Sequence, residues 1–294
     1  MRLKDNFHIF AIISIFFWSS AHVFTRLALR YFTPLSLGFL RNLIASFSSI
    51  IIIFFFKTIV PKRTDIKWLV LAGFFGFFLY IILYNIGYTT VTASTGSLLS
   101  ATIPIITTVM ARIIYKEKLH LIQYIAMIIE FSGIAVITLM NSVFSINFGI
   151  VFLLSACILY SIYNLLLRKL TKTYPAIQTS IITIWIGTIM LLMLLPDSIV
   201  ELKSAPPVQM VYILILGIFP TAIATITWTL ALSKAKNASS ASNYMLLTPF
   251  LATIGAVFLA KEIPDRSTLI GGAIIVVGMV LYNFFGMKAL RVKQ

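Results

Sequence analysis

Charged side chains are scarce in this chain: they make up 11% of its 294 residues, whereas 60% of the residues are hydrophobic. In a soluble globular domain about a quarter of the residues are charged. A membrane-spanning helix needs ~20 apolar residues, so ten spans would use ~200 residues and leave ~90 for connections and tails. The composition therefore excludes a soluble catalytic domain, a long disordered tail, a DNA-reading module and a disulfide scaffold.

Residues that bind metals or nucleotides are scarce as well. Cys157 is the only cysteine, so neither a disulfide nor a cysteine–zinc cluster can form within one chain. His8, His22 and His120 lie far apart in the sequence and have no carboxylate at ligand spacing. The sequence contains no glycine-rich phosphate-binding loop. We therefore predict no metal and no other cofactor, and ATP-driven transport would need a separate subunit.

Long apolar segments fill most of the chain. Each is close to the length that spans a bilayer, and together they predict an all-α integral membrane protein with ten transmembrane helices. The first segment follows a basic start, as in a signal peptide, but it has a counterpart later in the chain, so we interpret it as a retained span. The ten segments are 8–28, 34–57, 68–90, 94–115, 119–140, 146–167, 176–195, 209–231, 238–260 and 267–286.

Acidic residues are few: 8 Asp and Glu stand against 23 Lys and Arg, which gives a net charge of +15. Alternate connections and the two termini hold 16 of the bases, whereas the connections at 89–93 and 141–145 carry no charge. Because cytoplasmic loops carry the excess of Lys and Arg, this pattern predicts a cell-membrane protein with both termini cytoplasmic. An even number of spans agrees with that topology. Since topology explains the net charge, we expect no nucleic-acid partner.

The chain contains an internal repeat. Three residues of the first half recur in the second half at a constant distance of 145 positions. Four residues near the start of the first half have counterparts 142 positions later. The matches predict two repeats, residues 1–142 and 143–294, of five spans each. Because five is odd, the second repeat must enter the membrane from the opposite side, an architecture that places a substrate cavity between the halves. The matched series are Pro104, Glu117 and Gly133 with Pro249, Glu262 and Gly278, and Trp18, Ser19, His22 and Arg26 with Tyr160, Ser161, Asn164 and Arg168.

These motifs resemble those of EamA-type transporters of the drug/metabolite transporter superfamily. The resemblance includes Trp18-Ser19 in the first span, Arg41 in the second, and the repeated series of proline, glutamate and glycine. Gly271 also fits the pattern of the second half, whereas Ala126 departs from it in the first half. The resemblance covers nearly the whole chain. It implies a ten-helix carrier with a central cavity that exports small metabolites.

Polar and aromatic residues inside the spans are the candidate substrate-cavity residues. Polar groups cost free energy in hydrocarbon unless they are paired or face a wet cavity, and spacings of three and four place several of them on one helical face. Hydrogen bonding between packed helices is the alternative role, and Tyr88 is expected in an interfacial aromatic belt. The candidates are Trp18, Ser19, His22, Tyr84, Asn85, Ser97, Tyr160, Asn164, Trp228, Ser242 and Asn243.

Other residues are candidates for gating and coupling. Pro104 and Pro249 predict bends that either move between states or stay fixed. His22 and Glu130 are candidates for proton coupling, although Glu130 has Ile275 as its counterpart and the resemblance places its helix at the periphery.

Charged residues near the span ends have several candidate partners. Arg41 either snorkels outward, pairs with a carbonyl or binds an anionic group. Glu117 and Glu262 are expected to pair with neighbouring lysines (Lys116, Lys118 or Lys261) or to cap the following helix.

The sequence therefore favours a secondary transporter, an exporter of small organic metabolites that works by alternating access. Its aromatic walls suit amino acids, aromatic compounds or amphiphilic cations, and cation–π contact favours the last of these. An uncoupled facilitator and a membrane-embedded enzyme of lipid chemistry are the alternatives, and a non-transporting assembly factor is a third. The expected partners are the lipid bilayer and a small-molecule substrate, with a proton as candidate coupling ion, in a monomer or homodimer.

Overall fold

The computed structural model describes residues 7–115, 121–140, 147–234 and 243–282. These residues form helices connected by short turns, and no β-strand occurs among them. The helices are α1 (Phe7–Ala28), α2 (Pro34–Ile53), α3 (Arg63–Gly87), α4 (Ala93–Ile114), α5 (Leu121–Met140), α6 (Phe148–Leu170), α7 (Ala176–Met190), α8 (Leu195–Lys203), α9 (Pro207–Lys234), α10 (Leu247–Ala260) and α11 (Arg266–Val280).

The helices follow the order of the predicted spans. Within the described ranges, six helices are long and apolar enough to cross a membrane, namely α1, α2, α3, α4, α6 and α9. A seventh candidate span is α7 together with the segment Leu192–Lys203, bent by 48°. The shorter apolar helices α5, α10 and α11 take the remaining three places. The prediction of an all-α membrane protein is confirmed, whereas the short helix α8 was not predicted.

Short polar connections explain where the helices begin. The hydroxyl oxygens of Thr33 and Thr92 accept hydrogen bonds from backbone N–H groups in the first turns of α2 and α4. Asn147 and Asp265 cap α6 and α11 in the same way. These bonds satisfy N–H groups that have no partner inside the helix.

Helices α3 and α9 each contain one wide π-helical segment, Phe74–Leu79 and Gly217–Ile223 respectively. Such segments are rare and are common at functional sites. Side chains from other helices donate to a carbonyl oxygen of each segment: Asn42 Nδ2 donates to Phe77 O at 2.7 Å, and Trp18 Nε1 donates to Pro220 O at 3.1 Å. The same irregularity therefore occurs at the corresponding place in both halves.

Helix packing follows the repeat. Helix α1 packs against α9 and α10, and its counterpart α6 packs against α3 and α4. Helix α2 contacts α7 and the π segment of α9, while α7 contacts α2 and the π segment of α3. The two five-helix repeats thus exchange equivalent contacts around the centre of the bundle. The predicted boundary between residues 142 and 143 lies outside the described residues.

Helices α5 and α11 pack directly against each other. Their backbones approach so closely that a Cβ on Gly133 would lie 2.7 Å from the carbonyl oxygen of Gly271. A Cβ on Gly271 would likewise lie 2.6 Å from the carbonyl oxygen of Gly133. Small residues that allow such an approach are typical of helix interfaces in membranes, where apolar burial in lipid gives little driving force.

A contact between the halves also lies at the start of α3. Tyr174, in the turn before α7, donates a hydrogen bond to Asp65 Oδ2 at 2.7 Å and accepts one from the Lys62 N–H at 3.0 Å. The bond to the carboxylate favours the protonated phenol and so raises the pKa of Tyr174. This turn lies at the end of the bundle that the charge pattern predicts to be cytoplasmic.

Candidate functional site

Helices of both repeats enclose a cavity. It comprises about 660 Å³, a figure that includes space open to solvent. Helices α1, α2, α3 and α4 line it from the first half, and α6, α9 and the start of α10 line it from the second. Its wall contains aromatic residues (Trp18, Phe77, Tyr80, Tyr84, Tyr160), residues with hydroxyl groups (Ser100, Thr221, Thr225, Thr248) and two residues with basic side chains (His22, Arg41).

Aromatic rings form a continuous surface across the two halves. Trp18 meets Tyr160 edge-on with ring centroids 6.1 Å apart, and Tyr160 lies 4.8 Å from Tyr80. Tyr80 in turn lies 5.4 Å from Tyr84. The structure therefore brings together Trp18, Tyr84 and Tyr160, three of the four rings that the sequence analysis placed on one cavity.

The fourth predicted ring, Trp228, does not line the cavity. It is buried with 3% exposure, and its ring centroid lies 5.1 Å from that of Trp18. Trp228 therefore packs against Trp18 on the side away from the cavity. The hydrogen bond from Trp18 Nε1 to Pro220 O fixes the orientation of the Trp18 ring.

Arg41 is a buried cation on the cavity wall, with 4% of its surface exposed. Its Nε donates to Thr221 Oγ1 at 3.0 Å and its Nη1 donates to Thr25 Oγ1 at 3.4 Å. The expectations that Arg41 snorkels outward or pairs with a carbonyl are wrong, because hydroxyl groups of α1 and α9 hold it inside the bundle. Among the residues that the structure describes, no Asp or Glu lines the cavity.

His22 faces the cavity from α1 and belongs to a tyrosine network. Its Nδ1 is hydrogen-bonded to the Tyr88 hydroxyl and lies 3.3 Å from the Tyr84 hydroxyl. Tyr88 is fully buried, so its predicted place in an interfacial belt is wrong. This contact could not be predicted, because a spacing of four residues along α3 fits an interfacial belt and a buried stripe equally well.

Several predicted polar residues lie between helices and not on the cavity wall. Ser19 donates to Ile15 O, Ser97 donates to Ser94 O, and Asn85 donates to Pro34 O. These bonds use the hydroxyl donors of Ser19 and Ser97 and one amide donor of Asn85, as is usual for buried polar groups. Asn85 Oδ1 is buried without a partner among the described residues. Asn164 also lies off the wall, and its Oδ1 is buried without a partner in the described part of the chain. Ser242 and the side chain of Asn243 lie outside the described residues.

The two candidate hinge prolines occupy different settings. Helix α4 is interrupted by a turn at Ala101–Thr102, and Pro104 follows it in the first turn of the second segment. Pro249 is buried in α10, next to Thr248 on the cavity wall. The interruption in α4 places Ser100, Ala101 and Ile103 on the wall, and none of them was among the predicted cavity residues.

Glu130 lies away from the cavity. It is 1% exposed in the α5–α11 interface, where a Cβ on Gly278 would lie 2.6 Å from its Cγ. Its two carboxyl oxygens are buried, and neither has a hydrogen-bond partner within 7–115, 121–140, 147–234 and 243–282. Its burial between these helices agrees with the peripheral place expected for α5.

Glu262 joins the two halves at one end of the bundle. Its Oε1 accepts a hydrogen bond from Arg26 Nε at 2.8 Å, and its Oε2 accepts one from Ala93 N at 2.9 Å. Arg26 Nη1 also donates to the carbonyl oxygens of Tyr88 and Thr89. The expectation that Glu262 pairs with Lys261 or caps the following helix is wrong. Glu117, Lys116 and Lys118 lie outside the described residues.

Comparison with known proteins agrees with this architecture. The profile of the EamA-like transporter family matches residues 6–139 and 147–284, one copy in each half. A solved crystal structure of 16% sequence identity superposes with a TM-score of 0.67, covering 96% of this chain and 97% of that chain, which shows a common fold.

Curated relatives cover almost the whole chain. It is 33% identical over 275 residues to an uncharacterized transporter, YdfC, of Bacillus subtilis (strain 168), which covers 93% of this chain and 89% of that protein. It is 27% identical over 272 residues to a Streptantibioticus cattleyicolor protein named "Probable terminal-alkyne amino-acid exporter", covering 92% of this chain and 91% of that protein. The chain therefore belongs to the EamA-like transporter family and is a multi-pass membrane transporter, not an enzyme.

Proposed function

We propose that this protein is a secondary transporter that exports small organic metabolites, amino acids among them, across the cell membrane by alternating access. The observation that carries the proposal is the cavity whose wall is built by helices of both repeats. The similarity to a protein named as an amino-acid exporter supports this class of solute. We further propose that both termini are cytoplasmic and that the repeats meet between residues 142 and 143.

Alternating access follows from the equivalent contacts of the two halves. Helix α1 packs on α9 and α10 as α6 packs on α3 and α4. Two conformations in which the halves exchange these packings, open to opposite sides of the membrane, therefore have similar energies. The Arg26–Glu262 pair joins the two halves at one end, and we infer that it holds that end closed. Exchange between the packings exposes the cavity to one side and then to the other.

Proton coupling fits His22 better than Glu130. His22 is on the cavity wall and bonded to tyrosine hydroxyls, whereas Glu130 lies between α5 and α11. A proton that moves with the solute must bind to a group that the cavity reaches, and an imidazole can take up and release one. An uncoupled facilitator for the same solutes is the second candidate, because no carboxylate lines the described cavity.

Flux measurements in proteoliposomes test the proposal. Liposomes preloaded with unlabelled amino acids should accumulate labelled amino acid by exchange, with and without a pH gradient. Trp18→Ala should reduce exchange at least tenfold because it removes the ring between the two halves. Phe16→Ala is the matched control, since Phe16 lies on the same helix and is 60% exposed. Exchange no faster than in protein-free liposomes for every solute tried would contradict the proposed function.

A further inference from the structure

We propose that Arg41 binds a carboxylate group of the transported solute, so that the cavity takes small carboxylates with an apolar or aromatic side chain. This inference rests on the proposed function and names its substrate class. It also reverses the expectation from the sequence that amphiphilic cations are favoured.

No carboxylate among the described residues pairs with Arg41: the ion pair that the structure shows there joins Arg26 to Glu262. The two described hydrogen bonds of Arg41 go to neutral hydroxyl groups. A buried charge is stabilised by a partner of opposite charge, and on this wall a solute can provide one.

The geometry fixes one side of the guanidinium group and leaves another available. Nε and Nη1 are held by Thr221 and Thr25, and the Thr221 hydroxyl itself donates to Leu216 O at 2.7 Å. Nη2 donates no hydrogen bond to the part of the chain that the structure describes. Since a guanidinium group carries five N–H donors in a planar fork, donors remain for a carboxylate in the cavity.

The fold does not require an arginine at this position. A Cβ on Gly217 in α9 would lie 2.9 Å from the Arg41 carbonyl oxygen, and a Cβ on Gly73 in α3 would lie 3.0 Å from the carbonyl oxygen of Thr183. Arg41 and Thr183 are therefore equivalent positions of the two repeats. Thr183 is buried there without a charge, its hydroxyl donating to Ser180 O. The same helix contact thus forms with a small neutral side chain.

The rest of the wall suits the other end of such a solute. Tyr84 lies beside the guanidinium, 5.9 Å from Arg41 Cζ to the ring centroid, and Tyr80, Trp18 and Tyr160 continue the aromatic surface. These rings accept an apolar side chain, and their faces also attract the ammonium group of an amino acid. An organic cation without a carboxylate would instead meet the Arg41 charge on a wall that has no described acid to offset it.

A ligand series on the purified wild-type protein tests the inference without any mutation. The probes share a phenyl group: phenylalanine and 3-phenylpropionate carry a carboxylate, whereas phenylalaninamide and phenethylamine do not. A ligand that binds the folded state raises the apparent melting temperature. The two carboxylates should raise it, and the amide and the amine should not at equal concentration. Equal or greater stabilisation by phenethylamine would overturn the inference.

Variants assign the effect to Arg41. Arg41→Gln should raise the Kd of the carboxylates by about 10- to 100-fold, as expected for loss of a charged hydrogen-bonding partner, and should not weaken phenethylamine. Arg63→Gln removes the same charge from an exposed position and should change neither. If Arg41→Gln does not fold, Thr221→Val keeps the charge of Arg41 and removes the acceptor that orients Nε, together with the bond from Thr221 to Leu216 O. It should raise the carboxylate Kd by a smaller factor.

The two proposals fail separately. Suppose that the protein exchanges amino acids in liposomes but the carboxylate Kd is unchanged in Arg41→Gln, or in Thr221→Val if Arg41→Gln does not fold. Arg41 would then not bind the carboxylate, and the proposed transport function would stand. If carboxylates bind in a manner that depends on Arg41 but no solute is transported, the binding site would be supported and the proposed transport function would be refuted.

Discussion

Removing the carboxylate of Glu262 should open the end of the bundle at which it binds Arg26. The side chain connects three segments, because it accepts hydrogen bonds from Arg26 on α1 and from the first residue of α4, while lying in the turn before α11. Glu262→Gln keeps the size of the side chain and removes its charge. Asp197→Asn removes a charge at an exposed position on α8 and serves as control.

The size of the effect follows from the burial of the pair. Arg26 and Glu262 are separated by 2.8 Å, and their side chains are 29% and 14% exposed. Fully exposed pairs contribute ~0.2–1 kcal/mol, whereas breaking a buried pair costs ~3–5 kcal/mol. We take ~1–2 kcal/mol for this intermediate case, which changes the ratio of closed to open molecules by a factor of ~5–30.

Thiol labelling measures that ratio. Ala21 lines the cavity, so Ala21→Cys in a Cys157→Ala background reports access to it. A membrane-impermeant maleimide should label this cysteine in intact cells ~5–30 times faster after Glu262→Gln, and Asp197→Asn should not alter the rate. Labelling that accelerates only in inside-out vesicles would show that the predicted topology is reversed. Rates unchanged from both sides would refute the reasoning about the ion pair.

Four further outcomes are expected. Gly133→Ala should destabilise the protein by ~1–3 kcal/mol through overpacking and leave ligand affinity unchanged, whereas Gly255→Ala, which meets only a valine methyl at 3.0 Å, should melt like the wild type. Trp18→Phe loses the hydrogen bond to the α9 π segment and should weaken ligand binding by ~1 kcal/mol; unchanged affinity would show that the ring alone matters. Glu130→Gln should leave uptake and its pH dependence intact, and a changed profile would return coupling to this residue. His22→Gln should preserve binding; a pH dependence of uptake that is lost in this variant would assign coupling to His22, and an unaltered profile would remove His22 from coupling.

The spans were predictable because their signal is local. Runs of ~20 apolar residues, bounded by capping residues such as Thr33 and Asp265, determine where a membrane helix begins. The repeat was predictable because the same local signals recur at a constant distance. Helix α8 was missed because its composition is mixed, and nothing local distinguishes a short helix at a span end from a polar connection.

The partners of polar residues were not predictable. Helical spacing placed Tyr88, Arg41 and Glu262 on faces of their helices, but the group opposite each face belongs to a segment distant in sequence. A serine in a span is equally ambiguous: Ser19 and Ser97 satisfy their hydroxyls on carbonyls of their own helices. A polar residue in a membrane helix therefore indicates a hydrogen bond, and only the packing shows whether a cavity is involved.

Symmetry and asymmetry serve different purposes in this fold. The features common to both repeats, the π segments and the close approach of Gly73 and Gly217 to the neighbouring helix, determine how helices pack. Two packings of similar energy require this equivalence. Solute recognition requires a difference between the repeats, because a symmetric wall would offer a carboxylate two equivalent sites and the solute could bind in either of two orientations. The charge of Arg41, with neutral Thr183 at the equivalent position, is therefore the kind of difference that allows one end of a solute to be distinguished from the other.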